Sequence, residues 1–160
     1  MSFDINVVLT GLAAPVAVLL VKTLLDFSLS HYLVKWFSWI PLRSIFRDNP
    51  YDLRGMWEQR WGHAGSPNFT QEIDRHGHTT IKQFGRYCYA EFAAKGKQYR
   101  FFGRIRHNYL IGEWYDAADK NAYFGVFELR IISSEQMEGQ YIGHSSSGRV
   151  NGDMWEWKKS

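Results

Sequence analysis

Trp61, Thr79, Tyr99, Phe101, Trp114, Tyr123, Tyr141 and Arg149 are the side chains of this sequence whose types, brought together, would do recognisable chemistry. Aromatic faces with hydroxyl tips stack on flat heterocycles, and a guanidinium takes a phosphate through two parallel N–H···O bonds. The set therefore suits a ligand made of bases and phosphates. Arg149 closes the run Ser145-Ser146-Ser147-Gly148-Arg149, a polar loop expected to arch over such a ligand. The competing use of the same residues is packing, because inward Tyr and Phe commonly fill a small barrel.

Catalytic constellations are missing from the sequence. There is no Gly-x-Ser-x-Gly, no phosphate loop and no dinucleotide fingerprint, so neither an enzyme nor a cofactor is expected. His63, His76, His78, His107 and His144 fall near turns. His76-Gly77-His78 is half of a metal site at best, and nothing at a suitable spacing completes it, so no metal is expected. Cys88, the one cysteine, lies between Tyr87 and Tyr89 and reads as a small buried residue rather than a nucleophile. A lone thiol makes no internal disulfide, which suits a reducing compartment.

The elements that would position these residues are strands. Thirteen of the fourteen glycines follow position 50, and the chain is 17% aromatic, a mix that favours short strands and tight turns. Asp48-Asn49-Pro50-Tyr51-Asp52 is a turn-rich joint that separates a head, 1–50, from a folded domain, 51–160. Beyond it, period-two alternation marks eight strands, at 55–63, 78–84, 86–93, 98–106, 109–116, 122–132, 137–144 and 151–158. Tyr99, Phe101, Gly103 and Ile105 share one parity, as do Leu110, Gly112 and Trp114, and Tyr123, Gly125, Phe127, Leu129 and Ile131. Glycines repeated on the apolar face are what closure of a strongly coiled small barrel requires. The fold class is thus all-β, a small antiparallel eight-stranded, lipocalin-like barrel behind an N-terminal transmembrane helical segment. If the first strand rises from a floor near Gly55, the eight candidate residues gather at the far mouth, and Trp57, Ile105, Leu110, Ile131, Trp155 and Trp157 pack the floor.

The head is apolar. Ile5 to Val21 carries no charge, and with Thr23-Leu24-Leu25 it is long enough to cross a ~30 Å hydrocarbon core. The first crossing is placed at 5–25. It lacks the basic start and small-residue cleavage site of a secretory leader, so it is expected to be retained. A second apolar stretch, 31–46, contains Lys35, Trp36 and Trp39; it reads either as a short second crossing or as an amphipathic helix in the membrane interface. Two helices of a soluble core are the remaining alternative. Arg43, Arg47 and Arg54 follow the head, which by the positive-inside rule places the barrel in the cytoplasm. A net charge of +3, with basic residues dispersed among acidic ones, lacks the dense stripe that a DNA or RNA polymer would need.

Taken together, the apolar head, Leu53-Arg54-Gly55-Met56-Trp57, Ile81-Lys82-Gln83-Phe84-Gly85, Tyr99-Arg100-Phe101-Phe102-Gly103-Arg104-Ile105 with Leu110-Ile111-Gly112-Glu113-Trp114, and the closing Gly152-Asp153-Met154-Trp155-Glu156-Trp157 resemble the two-transmembrane β-barrel effectors of bacterial anti-phage cyclic-nucleotide signalling, as in CBASS. The resemblance covers nearly the full length. It implies a bacterial inner-membrane protein whose barrel binds a cyclic di- or oligonucleotide, with homo-oligomerisation and disruption of the lipid bilayer as the output. A lipocalin-like carrier of an apolar ligand and a structural membrane interaction module are the alternatives.

Overall fold

The computed structural model describes residues 15–16, 19, 30–40, 49–62, 71–145 and 148–160. Eight strands form a closed antiparallel barrel in sequence order: β1 (Gly55–Trp61), β2 (His76–Phe84), β3 (Tyr87–Ala94), β4 (Lys97–Arg106), β5 (Tyr109–Asp116), β6 (Tyr123–Ser133), β7 (Gln136–Ser145) and β8 (Val150–Lys159). Closure comes from β1 pairing with β8, from Trp57 opposite Lys159 to Trp61 opposite Trp155. The eight expected strands are all present, and β1 ends at Trp61; His63 lies outside the described residues. The β3–β4 hairpin turns through Lys95 (φ 48°) and Gly96 (φ 74°), the paired left-handed conformations that a two-residue hairpin loop needs.

The inward parity follows the alternation. Phe101, Leu110, Leu129, Met137, Trp57 and Trp157 are wholly buried. Each such side chain contributes about 1.5–3 kcal/mol on removal from water, so the barrel's interior is its principal source of stability. Phe101 is the hub: its ring stacks on Phe127 at 4.1 Å and meets Trp157 at 5.2 Å and Trp155 at 5.9 Å.

The floor is closed by the chain that leads into β1. Leu53 is fully buried there; its amide donates to Gln83 Oε1 at 2.8 Å, and its carbonyl accepts from Trp57 Nε1 at 2.7 Å. Gln83 Nε2 donates to the carbonyls of Tyr51 (2.9 Å) and Gly85 (2.8 Å), so this buried amide is satisfied at both ends.

A helix, α1 (Ser30–Phe37), lies against the outer wall over β2 and β3. His31 and Val34, three residues apart on one face, are buried. His31 stacks near Tyr89 at 6.3 Å, and Lys35 Nζ reaches Glu91 at 3.0 Å. α1 ends at Phe37 and the chain turns at 38–40, so 31–40 is not one continuous helix. The described part of the second candidate crossing is therefore a wall-docked helix; 41–46 lie outside the described residues, as does most of 5–25. No helix among the described residues is long and apolar enough to cross a membrane.

Candidate functional site at the barrel mouth

Antiparallel order puts the ends of β1, β3, β5 and β7 and the starts of β2, β4, β6 and β8 at the mouth, opposite the Leu53 floor. Three of the candidate residues form a connected group there. Tyr99 meets Trp114 edge-on at 5.8 Å, and Trp114 meets Tyr141 edge-on at 6.2 Å. Trp114 and Tyr141 are partly buried, and Tyr123, also partly buried, carries Lys97 Nζ 4.2 Å above its ring. The indole of Trp114 lies across two glycines: a Cβ built on Gly125 would stand 2.8 Å from Trp114 Cε2, and one on Gly143 2.5 Å from Cζ2. Glycine at 143 makes room for the ring, and glycine at 125 admits both the ring and the Ile142 carbonyl, which a Cβ would meet at 2.0 Å.

The other candidates are placed differently. Phe101 sits in the centre of the core, fully buried, and not at the mouth. Strand parity gives the face of a residue but not its height, because barrel strands are tilted and staggered. Trp155, expected on the floor, shares that middle layer, with Tyr141 at 5.7 Å and Phe127 at 5.8 Å. Trp61 is buried near Phe92 at 6.4 Å. Thr79 is buried with its hydroxyl committed to the Glu91 carbonyl at 2.7 Å. Arg149 is exposed in the turn leading to β8; Ser146 and Ser147 lie outside the described residues.

Beyond Arg149, sequence reasoning passed over the charged groups of the mouth: Lys97, Asp116 and Asp153. Asp116 is buried opposite Tyr99 in the β4–β5 ladder, accepts from the Ala118 amide at 2.9 Å and pairs with Lys97 at 3.0 Å. The Ala118 hydrogen bond and Lys97 together hold its carboxyl below the usual range. Asp153 faces Tyr141 across the β7–β8 ladder. Burial, reinforced by Asp116 and Asp153 respectively, pushes Tyr99 and Tyr141 up to about 12, so both hydroxyls remain protonated donors. Within the barrel, Gln59 Nε2, Trp114 Nε1 and Trp157 Nε1 are buried donors with no hydrogen-bond partner among the described residues. The signal for Asp116 was its parity: an acid on the inward register of β5, whose other inward residues are Leu110, Gly112 and Trp114.

Among the described residues no three His, Cys, Asp or Glu side chains gather as a metal site. His76 Nδ1 lies 3.3 Å from Glu58 and His78 is exposed. Cys88 is fully buried, and burial pushes its thiol up, away from the reactive thiolate.

Comparison with known proteins adds little to this geometry. No family model and no curated protein matches the chain. A redesigned β-barrel of solved structure is similar at 10% sequence identity and a TM-score of 0.47, over 68% of this chain and 91% of that one.

Proposed function

We propose that this chain is a membrane-anchored effector whose barrel binds a cyclic di- or oligonucleotide at its mouth, with the bound nucleotide controlling self-association and disruption of a bacterial inner membrane. The observation that carries the reading is the group formed by Tyr99, Trp114 and Tyr141 under the mouth, with Tyr123 beside it. Partly exposed aromatic faces offer stacking at about 1–3 kcal/mol per base, and the buried Trp114 indole N–H is a donor with no partner among the described residues. Arg149 on the adjoining turn supplies a cation for phosphate, while Lys97 neutralises Asp116 and removes one source of repulsion. The apolar segment 5–25 supplies the anchor, and Arg43, Arg47 and Arg54 favour a cytoplasmic barrel.

One observation favours a second reading. The interlocked rings around Phe101 fill the middle of the barrel, which suits a structural packing module better than a carrier of an apolar molecule held inside. Thermal shifts of the full-length chain against cyclic di- and trinucleotides, linear nucleotides and fatty acids separate the two. A saturable shift with a cyclic nucleotide, weakened by Tyr123→Ala and by Arg149→Ala, supports the effector. A folded barrel that shifts with no small molecule supports the packing module.

A further inference from the structure

The outer wall carries two apolar surfaces on opposite sides of the barrel. In a closed ring of eight strands β2–β3 and β6–β7 are diametrically opposed. Over β2–β3 lies α1, whose outward face exposes Leu33, Trp36 (71%) and Phe37. On β6–β8 the mouth-side half of the wall exposes Phe124, Val126 (56%), Ile142, Val150 and Met154. These five are neighbours by register: Val126 faces Ile142, Phe124 faces His144, His144 faces Val150, and Met154 faces Gln140 one step further down. The floor-side half of the same strands is charged, with Glu128, Arg130, Glu138, Glu156 and Lys158 facing outward.

The two surfaces also match in height and in charge. Lys35 meets Glu91 in the mouth-side half of β3 while His31 lies by Tyr89, so α1 runs toward the mouth. The wall of β2–β4 that flanks it is net positive, from Lys82, Arg100, Arg104 and Arg106 against Glu91. The wall of β5–β8 is net negative, from Glu113, Glu128, Glu138 and Glu156 against Arg130 and Lys158. With Arg149 on the patch's mouth-side border, the acids of β6–β8 lie on its floor side, where they disfavour an anionic lipid surface and favour a basic partner.

We infer that the Phe124–Val126–Ile142 patch of one copy receives the α1 face of a second copy. Each copy then carries one surface of each kind on opposite sides, and the contact is heterologous: it builds rows or rings of barrels standing side by side, mouths in register. The contact lies on the outer wall, uses none of the mouth residues and needs no ligand, so it stands or falls separately from the nucleotide reading.

The test uses the full-length chain in a mild non-ionic detergent, followed by sedimentation velocity without nucleotide. Ile142→Arg sets a cation against the basic wall, and a Leu33→Glu, Trp36→Glu double variant sets acids against the acidic one. All three positions are exposed, and unchanged circular dichroism and Tm confirm that the barrel is intact. The wild type is expected to give a concentration-dependent ladder, and each variant alone to associate at least roughly tenfold more weakly. Mixed one to one, the variants are expected to form a dimer and nothing larger, since one intact patch and one intact α1 face remain. A monomeric wild type, a variant that keeps the full ladder, or a mixture that stays monomeric overturns the inference. If the mixture is monomeric and both variants lose binding to vesicles, the occupant is lipid and the proposed contact is wrong.

Discussion

Lys35 Nζ stands 3.0 Å from Glu91 Oε1 and joins α1 to β3, two elements far apart in the chain. Both side chains are more than a third exposed, at 37% and 41%, so water screens the pair. The buried side of the helix, His31 and Val34, therefore holds it in place more than the ion pair does. Lys35→Ala is expected to change global stability by less than about 1 kcal/mol. Val34→Asp is expected to free the helix, because it leaves a charge without a partner against an apolar wall. Hydrogen exchange of α1 checks both: faster exchange in Val34→Asp, near-native protection in Lys35→Ala.

Gln83 is the polar fastening of the floor. Replacing it by Ala removes the acceptor of the Leu53 amide and the donor to the Tyr51 and Gly85 carbonyls in one step. A buried group left without a partner costs about 1–3 kcal/mol, so Gln83→Ala is expected to lose at least ~2 kcal/mol in denaturant unfolding. Gln83→Glu is expected to do as badly, since a carboxylate cannot donate to the two carbonyls.

Phe101→Ala removes the hub of the core. A loss of about 3–5 kcal/mol is expected by urea unfolding, together with altered tryptophan fluorescence as Trp155 and Trp157 lose a ring neighbour. An apolar ligand that raised the variant's Tm far more than the wild type's would show that a cavity had been created there.

The Asp116 carboxyl is held below its ordinary range by the Ala118 amide and Lys97. A carboxyl depressed in the folded state adds stability that is fully present above its unfolded value of about 3.9 and disappears as pH falls through the folded one. Asp116→Asn is therefore expected to be less stable than the wild type at neutral pH. The difference should close below about pH 4, in parallel Tm series from pH 7 to 2.

Much of the barrel was legible because one face of each strand is buried, which makes parity a strong signal: Tyr99, Phe101, Gly103 and Ile105 all face inward as their spacing demands. Height was not legible. Strand tilt moved Phe101 and Trp155 from the mouth and the floor into one middle layer. Tyr89 was hidden for another reason: its parity is outward, yet it is 2% exposed beside α1, a contact that no local pattern announces. Trp114, Tyr123 and Tyr141 were found because the mouth needs large side chains there, while Lys97 was missed because a terminal strand lysine looks like any solvated charge.

The Leu53 floor also has a mechanical meaning. The stretch from residue 49 to Gly55 enters the barrel through hydrogen bonds to Gln83 and Trp57, while β1 is laced on both flanks to β2 and β8. Tension drawn through residue 49, once the α1 contacts had yielded, would therefore load Leu53 before any rung of the β1 ladders. The plug would yield before the seam, giving the barrel a shock absorber at its floor.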